Sequence, residues 1–399
     1  MITKLNTIKI LNYFFFLSTF ALLFYTDAVY VSQEISSGLM INLKYVTLLL
    51  GIAFSILQIG YRERYKNSKT KNLIYVYEVK KISLVLVVFL FISLCFSLFS
   101  GKFNIITIGE LIKLLLPIIY AFCVLNTFSF KDIYNCMVAV LFFSIGGYIL
   151  EVGINTFTLE NIKKISFSSS YSPFESHYAA GASIAMCTFF MYYREKPLYK
   201  YISLLFALLT FKRLSVLFAI FLLVMPWFVD VNKKISKRWN FSIKVFFLVA
   251  TYLYYLILQP GLSEWFEKIF HSDANDFTMG RSLYIEKMIN SGFSSYGFGS
   301  TTIFLGKNME MDLIKISVEL SIVGLCFFIY HYWDIARKHL YCIIYMFYLF
   351  TNLLTSHSLT NAFGWILTYV IIGCILYKQN NDLSYLKYKK KNKIFKIKL

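Results

Sequence analysis

The sequence predicts an all-α, polytopic integral membrane protein with about twelve transmembrane helices, eleven if one pair is a single helix. Three observations carry this. Hydrophobic residues make up 58% of the 399 residues and charged ones only 15%. The apolar residues gather into stretches separated by short polar breaks. The basic surplus, a formal charge of +19, falls in alternate breaks. A water-soluble domain cannot hide that much apolar surface. A bilayer can, because a helix satisfies its own backbone hydrogen bonds in lipid.

In chain order, helices are expected at 10–26, 38–60, 82–100, 109–126, 133–150, 177–193, 199–211, 214–229, 241–258, 312–330, 340–356 and 360–377. The whole of 1–399 reads as one transmembrane domain. The first stretch is followed by TDAVYVS, with no small-residue cleavage site, and is expected to be a retained helix. Residues 199–211 are too short to cross upright, at ~1.5 Å of rise per residue against ~30 Å of hydrocarbon. Either that helix starts nearer Lys196, or 199–229 is one long helix broken at Lys212-Arg213. No repeat of 20–50 residues is visible, which weighs against an inverted-repeat transporter.

Orientation follows from Lys and Arg. With the N-terminus in the cytoplasm, the inner segments hold about 27 of the basic residues and the outer segments about nine. Inverting the chain reverses the bias, so both termini are expected inside. The tail 378–399, with KYKKKNKIFKIKL, then lies beside anionic lipid headgroups, and no nucleic-acid partner is expected. All seven cysteines fall inside apolar stretches, without metal-ligand spacing. They read as small buried hydrophobes, with no metal site.

Two outer loops exceed a turn. The first, 151–176, ends in Ser172-Pro173-Phe174-Glu175-Ser176-His177-Tyr178. A Glu and a His at the mouth of a helix can supply a general base; alternatively Ser176 or Glu175 caps that helix and His177 sits in the interface. The second loop, 259–311, runs to roughly 50 residues, too long for a bare connection. Within it 263–270 and 281–289 carry the apolar spacing of short amphipathic helices. It places Gly280-Arg281 at a helix start and Tyr296-Gly297-Phe298-Gly299-Ser300 in a glycine-rich segment. Arg281 with exposed backbone N–H groups of that segment suits an anion such as pyrophosphate, unless the glycines form only a turn. Lys212 and Arg213 face outward, against the charge bias, and are either interfacial anchors or an anion site. Within the spans, Glu110 with Lys113 and Lys315 with Glu319 have the spacing of ion pairs, and Lys44 and Lys244 can snorkel.

In order, these motifs resemble the bacterial O-antigen polymerases of the O-antigen ligase/polymerase superfamily. Phe174-Glu175-Ser176-His177-Tyr178-Ala179 is similar to the family's Glu-Pro-Ser-His/Phe-Ala stretch, without the Pro. Leu209-Thr210-Phe211-Lys212-Arg213-Leu214-Ser215 is similar to its Thr-x-Ser-Arg-x-x-Leu hairpin, with Lys for Ser. Gly280-Arg281-Ser282, Ser295-Tyr296-Gly297-Phe298-Gly299 and Glu319-Leu320-Ser321-Ile322-Val323-Gly324-Leu325 resemble its Ser-Gly-Arg, Gly-Tyr-Gly-Phe-Gly and Glu-Leu-Gly-Ile-Ile-Gly-Leu. The likeness covers roughly 170–330 by motif. Relatives often carry His-Asn nine residues ahead of that Glu; here the place reads Glu310-Met311-Asp312.

The resemblance implies a GT-C-like fold and a metal-independent glycosyltransferase of the bacterial inner membrane, its site facing the periplasm. It would move a growing glycan from polyprenyl pyrophosphate to the non-reducing end of a new lipid-linked oligosaccharide, making O-antigen, capsule or exopolysaccharide. No cofactor is implied. Its partners would be that lipid-linked oligosaccharide, membrane lipids, a chain-length regulator and a flippase. Arg281 would stabilise the leaving pyrophosphate. Arg213, Lys212 and Tyr296, Gly297, Phe298, Gly299 and Tyr178 would bind substrate. The base would be Glu175 or His177 first, Glu310 or Asp312 second. A ligase of the same superfamily is the first alternative, and a flippase or transporter for the lipid-linked unit the second.

Overall fold

The structure, a computed structural model, describes residues 2–33, 38–65, 73–103, 105–165, 172–176, 178–194, 196–260, 268, 278 and 280–378. Among them there is no strand, only an isolated antiparallel bridge between Lys234 and His339. In order, the helices are α1 (Ile2–Gln33), α2 (Gly38–Tyr65), α3 (Val76–Ser100), α4 (Ile106–Thr127), α5 (Phe130–Val152), α6 (Leu159–Lys163), α7 (Ala179–Tyr192), α8 (Pro197–Leu209), α9 (Arg213–Phe228), α10 (Lys237–Ile257), α11 (Ser282–Asn290), α12 (Ser300–Leu305), α13 (Asp312–Trp333), α14 (Leu340–Thr355) and α15 (Ala362–Tyr377).

Each of the twelve expected stretches is helical. Seven helices, α1 to α5, α10 and α13, are long and apolar enough to cross a membrane. The other five, α7, α8, α9, α14 and α15, are apolar but shorter. The pair meeting at Lys212-Arg213 is two helices, because Phe211 takes a left-handed φ of 51° and turns the chain. Polar caps set several starts. Ser129 and Asp132 form a reciprocal capping box at α5, the Ser236 side chain accepts from Trp239 N–H at α10, and Pro197 occupies the first turn of α8. The helices α6 and α12 were not expected. Of the two short helices expected in the second loop, 281–289 is α11, and 263–270 lies outside the described residues except for Lys268.

The chain divides into two compact units, each assembled from separate segments. The first comprises Met1–Val76, Pro117–Val231 and Phe363–Leu399. Here α1 packs along α2 and α5, and α7 packs on α5, α8 and α9. Gly147 of α5 lets α1 approach so closely that a Cβ there would meet Phe24 Cβ at 2.8 Å. At one end lie three basic contacts: Lys9 with Asp132 at 2.9 Å, Arg62 on the Asn126 carbonyl at 3.0 Å, and Lys378 on the Phe128 carbonyl. At the other end Lys44 pairs with Asp27 at 3.3 Å and Ser176 bonds Glu151 at 2.7 Å.

The second unit comprises Tyr77–Leu116 and Asn232–Ala362. Its centre is α13, which packs on α10, α12 and α14. Its basic end joins Arg337 to Glu78 at 2.6 Å and Lys244 to Asp334 at 2.5 Å, and Leu340 N–H donates to the Lys233 carbonyl at 2.9 Å. At the opposite end a buried apolar cluster that includes Leu258, Ile285, Met288, Met309 and Ile314 carries α11 against the start of α13.

Candidate functional site

Every described candidate residue lies at the end of its unit away from the Lys9–Asp132 pair in the first unit and the Arg337–Glu78 pair in the second. Each unit holds its own cluster there.

In the first unit, the two motifs around Glu175 and Arg213 are brought together. The Tyr148 hydroxyl of α5 lies 2.9 Å from the Phe174 carbonyl and 2.8 Å from that of Leu209, and shares its proton between them. Ser176 N–H donates to the Thr210 carbonyl at 3.4 Å, and the Phe174 and Phe211 rings sit 6.0 Å apart. Ser176, not Glu175, caps α7: its Oγ accepts from Ala179 N–H at 2.8 Å while donating to Glu151. Glu175 is half-buried, with its backbone N–H on the Ser172 carbonyl. Tyr178 stands at the mouth of α7, its ring edge-on to Tyr30. Burial first, then the Asp27 carboxylate, raises its phenol above the ordinary range, so it stays a neutral donor. Lys212 and Arg213 open α9, whose first turn has no acidic residue. Positive charge at a helix N-terminus adds to the positive end of the helix dipole, so the pair favours an anion. Arg213 is exposed. His177 lies outside the described residues.

In the second unit, Arg281 stands at the start of α11. Its Nη1 donates to the Thr278 carbonyl at 2.9 Å and its Nη2 pairs with Glu310 at 2.9 Å, and its charge acts on the Tyr254 phenol of α10. Its buried Nε has no hydrogen-bond partner among the described residues. Arg281 and Glu310, separate candidates in the sequence, are thus one ion pair.

The glycine segment corrects an expectation. Its amides do not form an open anion cradle, because the protein fills it. Gly297 N–H donates to Ser295 Oγ at 3.1 Å and Phe298 N–H to Ser93 Oγ at 3.0 Å. Gly299 N–H reaches one carboxylate oxygen of buried Glu319 at 2.8 Å, and Thr301 N–H and Oγ reach the other at 2.8 and 2.5 Å. Glu319 is therefore an internal cap for α12. The fit is close: a Cβ on Gly297 (φ 118°) would meet Ser93 Cβ at 2.9 Å. Tyr296 alone in the segment keeps a half-buried side chain. Its phenol is raised by burial and then by Glu319, and its ring lies 5.7 Å from the Lys102 amine.

The expected pairing of Lys315 with Glu319 is electrostatic and not a direct contact. Lys315 turns to Glu110 at 3.6 Å and to Thr302 Oγ1 at 3.3 Å, and Glu110 makes its expected bond to Lys113 at 2.8 Å. Helical spacing allowed the first pair, but α12 offers Glu319 three donors and wins it.

Asp312 is not a free carboxylate. It is fully buried at the start of α13 and accepts from Ser358 N–H at 2.6 Å, Leu359 N–H at 2.7 Å and the His357 ring Nδ1 at 2.9 Å. His357 was missed in the sequence. The one signal was its place in the polar break SHSLTN between the last two apolar stretches.

These clusters offer cations for an anionic ligand (Arg281, Arg213, Lys212), a carboxylate–imidazole pair able to take a proton, and aromatic rings at the mouths. No family model, curated protein or solved structure matches the chain.

Proposed function

We propose that the protein is a membrane-embedded glycosyltransferase that polymerises polyprenyl-pyrophosphate-linked oligosaccharide units into O-antigen or a related surface polysaccharide. The observation that carries the reading is that segments far apart in sequence, matched to the family only by order, are bonded partners within each unit. The Phe174-Glu175-Ser176 loop docks on the Leu209–Arg213 turn through Tyr148 and Thr210. The Glu319 of the third motif closes on Gly299 of the glycine motif. The bias of Lys and Arg toward alternate polar breaks supports an N-in, C-in course of about twelve spans, in which the candidate residues face the periplasm.

In this reading Arg281 holds the leaving pyrophosphate within the second unit, and Arg213 with Lys212 offers the first unit's own contact for an anionic group of the lipid-linked substrate. Arg281 keeps its unpartnered Nε and exchanges the half-exposed Glu310 for phosphate oxygens, so charge that grows as the glycosidic C–O bond breaks meets a positioned guanidinium. Tyr178 and Tyr296 present rings on which sugars can stack. The apolar helix faces take the prenyl tail.

The test is the surface-glycan ladder of a strain lacking the gene. The expected result is collapse to core plus a single repeat unit, restored by wild type and not by Arg281→Ala at equal membrane abundance. Loss of all glycan from the core with lipid-linked polymer accumulating would make the protein a ligase, and an unchanged ladder would overturn both.

A further inference from the structure

Resting on that reading, we propose that His357, held by Asp312, is the base that takes the proton from the acceptor sugar hydroxyl. Asp312 Oδ2 is fixed by two backbone amides, of Ser358 and Leu359, which leaves Oδ1 aimed at His357 Nδ1 at 2.9 Å. A carboxylate can only accept, so in the neutral ring the proton is on Nδ1 and Nε2 carries the lone pair. A hydroxyl already sits against that lone pair: Thr360 Oγ1 is 3.2 Å from Nε2. The imidazole side chain is 21% exposed, enough for a sugar hydroxyl to take the place of Thr360's, while Asp312 behind it is sealed from solvent.

A three-residue segment ties this pair to the leaving-group arginine. Glu310 bonds Arg281, Asp312 bonds His357, and between them Met311 takes a left-handed φ of 83° with its side chain buried. A left-handed turn in a non-glycine residue is strained and persists where the surroundings demand it. Here it aims two successive carboxylates, one at the cation and one at the base. The other charges near the pair are Glu110, which acts electrostatically on His357, and Lys315, which acts on Asp312.

In the step, the acceptor O–H proton passes to Nε2 as its oxygen bonds the anomeric carbon. The bond from that carbon to the pyrophosphate oxygen breaks, and its electron pair leaves on the pyrophosphate, held by Arg281. The imidazolium formed is neutralised by Asp312 and later returns its proton to solvent.

The experiment uses the full-length protein in proteoliposomes, supplied with lipid-linked repeat units extracted from the strain lacking the gene. In His357→Asn the amide can still donate to Asp312 but has no basic nitrogen. The expected result is a loss of about 10²–10⁴-fold in kcat with KM nearly unchanged and the unfolding midpoint retained. Turnover should return to His357→Gly on adding imidazole, which a merely structural role would not give. On wild type, diethyl pyrocarbonate should inactivate by labelling the His357 peptide, with lipid-linked units protecting it; this reads out even where the variants fold poorly. Wild-type turnover in His357→Asn, or full activity with His357 labelled, overturns the assignment and leaves the polymerase reading standing. Wild type that makes no polymer overturns the polymerase reading itself, and the proposed base with it.

Discussion

At the candidate end of the second unit, charged groups are answered from within the chain. Arg281 meets Glu310, Asp312 meets His357 and two amides, Glu319 meets the start of α12, and Lys315 meets Glu110. The corresponding end of the first unit is bonded just as tightly in its backbone, through Tyr148 and Ser176, yet its arginine is open. Among the described residues Arg213 has no ion-pair partner, and it sits exposed on a helix N-terminus. The contrast separates two ways of holding an anion. One presents a cation pre-aimed by a carboxylate that the ligand must displace. The other presents a cation with nothing to displace. Substitutions in the second unit should therefore cost stability wherever a buried partner is orphaned, whereas those at Arg213 should cost binding alone.

The sharpest way to break this contrast is Glu319→Ala. It strands the Gly299 and Thr301 amides and leaves buried Lys315 with less countercharge, so we expect a loss of about 3–5 kcal/mol and a collapse of membrane abundance. Glu319→Gln, which keeps a carbonyl acceptor, should be milder. Thermal unfolding in detergent measures both, and an unchanged midpoint for the alanine variant would show that the cap carries no load.

Next comes Arg281→Ala. Its partner Glu310 is 45% exposed on its side chain, so water can replace the lost bond and the fold should survive. Turnover on lipid-linked units should fall about 10²–10³-fold, as for loss of one positioned donor to a leaving anion. Arg213→Ala should keep a wild-type unfolding midpoint and raise KM for the lipid-linked donor about tenfold, the ~1.4 kcal/mol of one exposed charge-assisted contact. An equal fall in kcat for Arg281→Ala and Arg213→Ala would erase the distinction between the two ends.

How much of this was legible differs by the range of the interaction. The twelve apolar stretches and the break at Lys212-Arg213 were readable because each is a property of consecutive residues. Ser176 as a cap and Glu110 with Lys113 were readable because each pair lies within one helical turn. The partners of Glu319 were not. Local spacing points to Lys315, whereas its true donors lie 18 and 20 residues upstream on a loop that folds back. His357 was hidden for the same reason, 45 residues from Asp312 in a six-residue break. The occupied glycine cradle shows the limit of motif reasoning: a run of glycines announces exposed amides but not what fills them.

Tyr148→Phe tests the bonded backbone of the first unit with a smaller change. It removes the hydroxyl shared by the Phe174 and Leu209 carbonyls and leaves the ring, so the expected cost is about 1–2 kcal/mol. Because that hydroxyl ties the Glu175 loop to the end of α8 beside the longer Ser176–Thr210 bond, activity should fall more than this stability loss implies. A drop in unfolding midpoint with unchanged turnover would mean that loop and turn hold their places without it.

The smallest expected effect bears on how the second unit keeps Glu319 in place. Two residues beyond it, Ser321 breaks α13 with φ 64° and ψ 174°, a conformation essentially reserved for glycine, and its side-chain oxygen makes only a long 3.3 Å bond to Val323 N–H. The backbone at Ser321 has the shape that glycine would adopt without strain. Ser321→Gly should therefore stabilise the protein by about 0.5–1 kcal/mol, the strain relieved exceeding the entropy that glycine adds to the unfolded chain. The matching control is Ser321→Ala, which keeps the strain and loses the weak bond, and should be neutral to slightly destabilising. If glycine lowers the unfolding midpoint as alanine does, the break in α13 is held by the serine hydroxyl rather than tolerated despite it. The kink beside Glu319 would then depend on the hydroxyl.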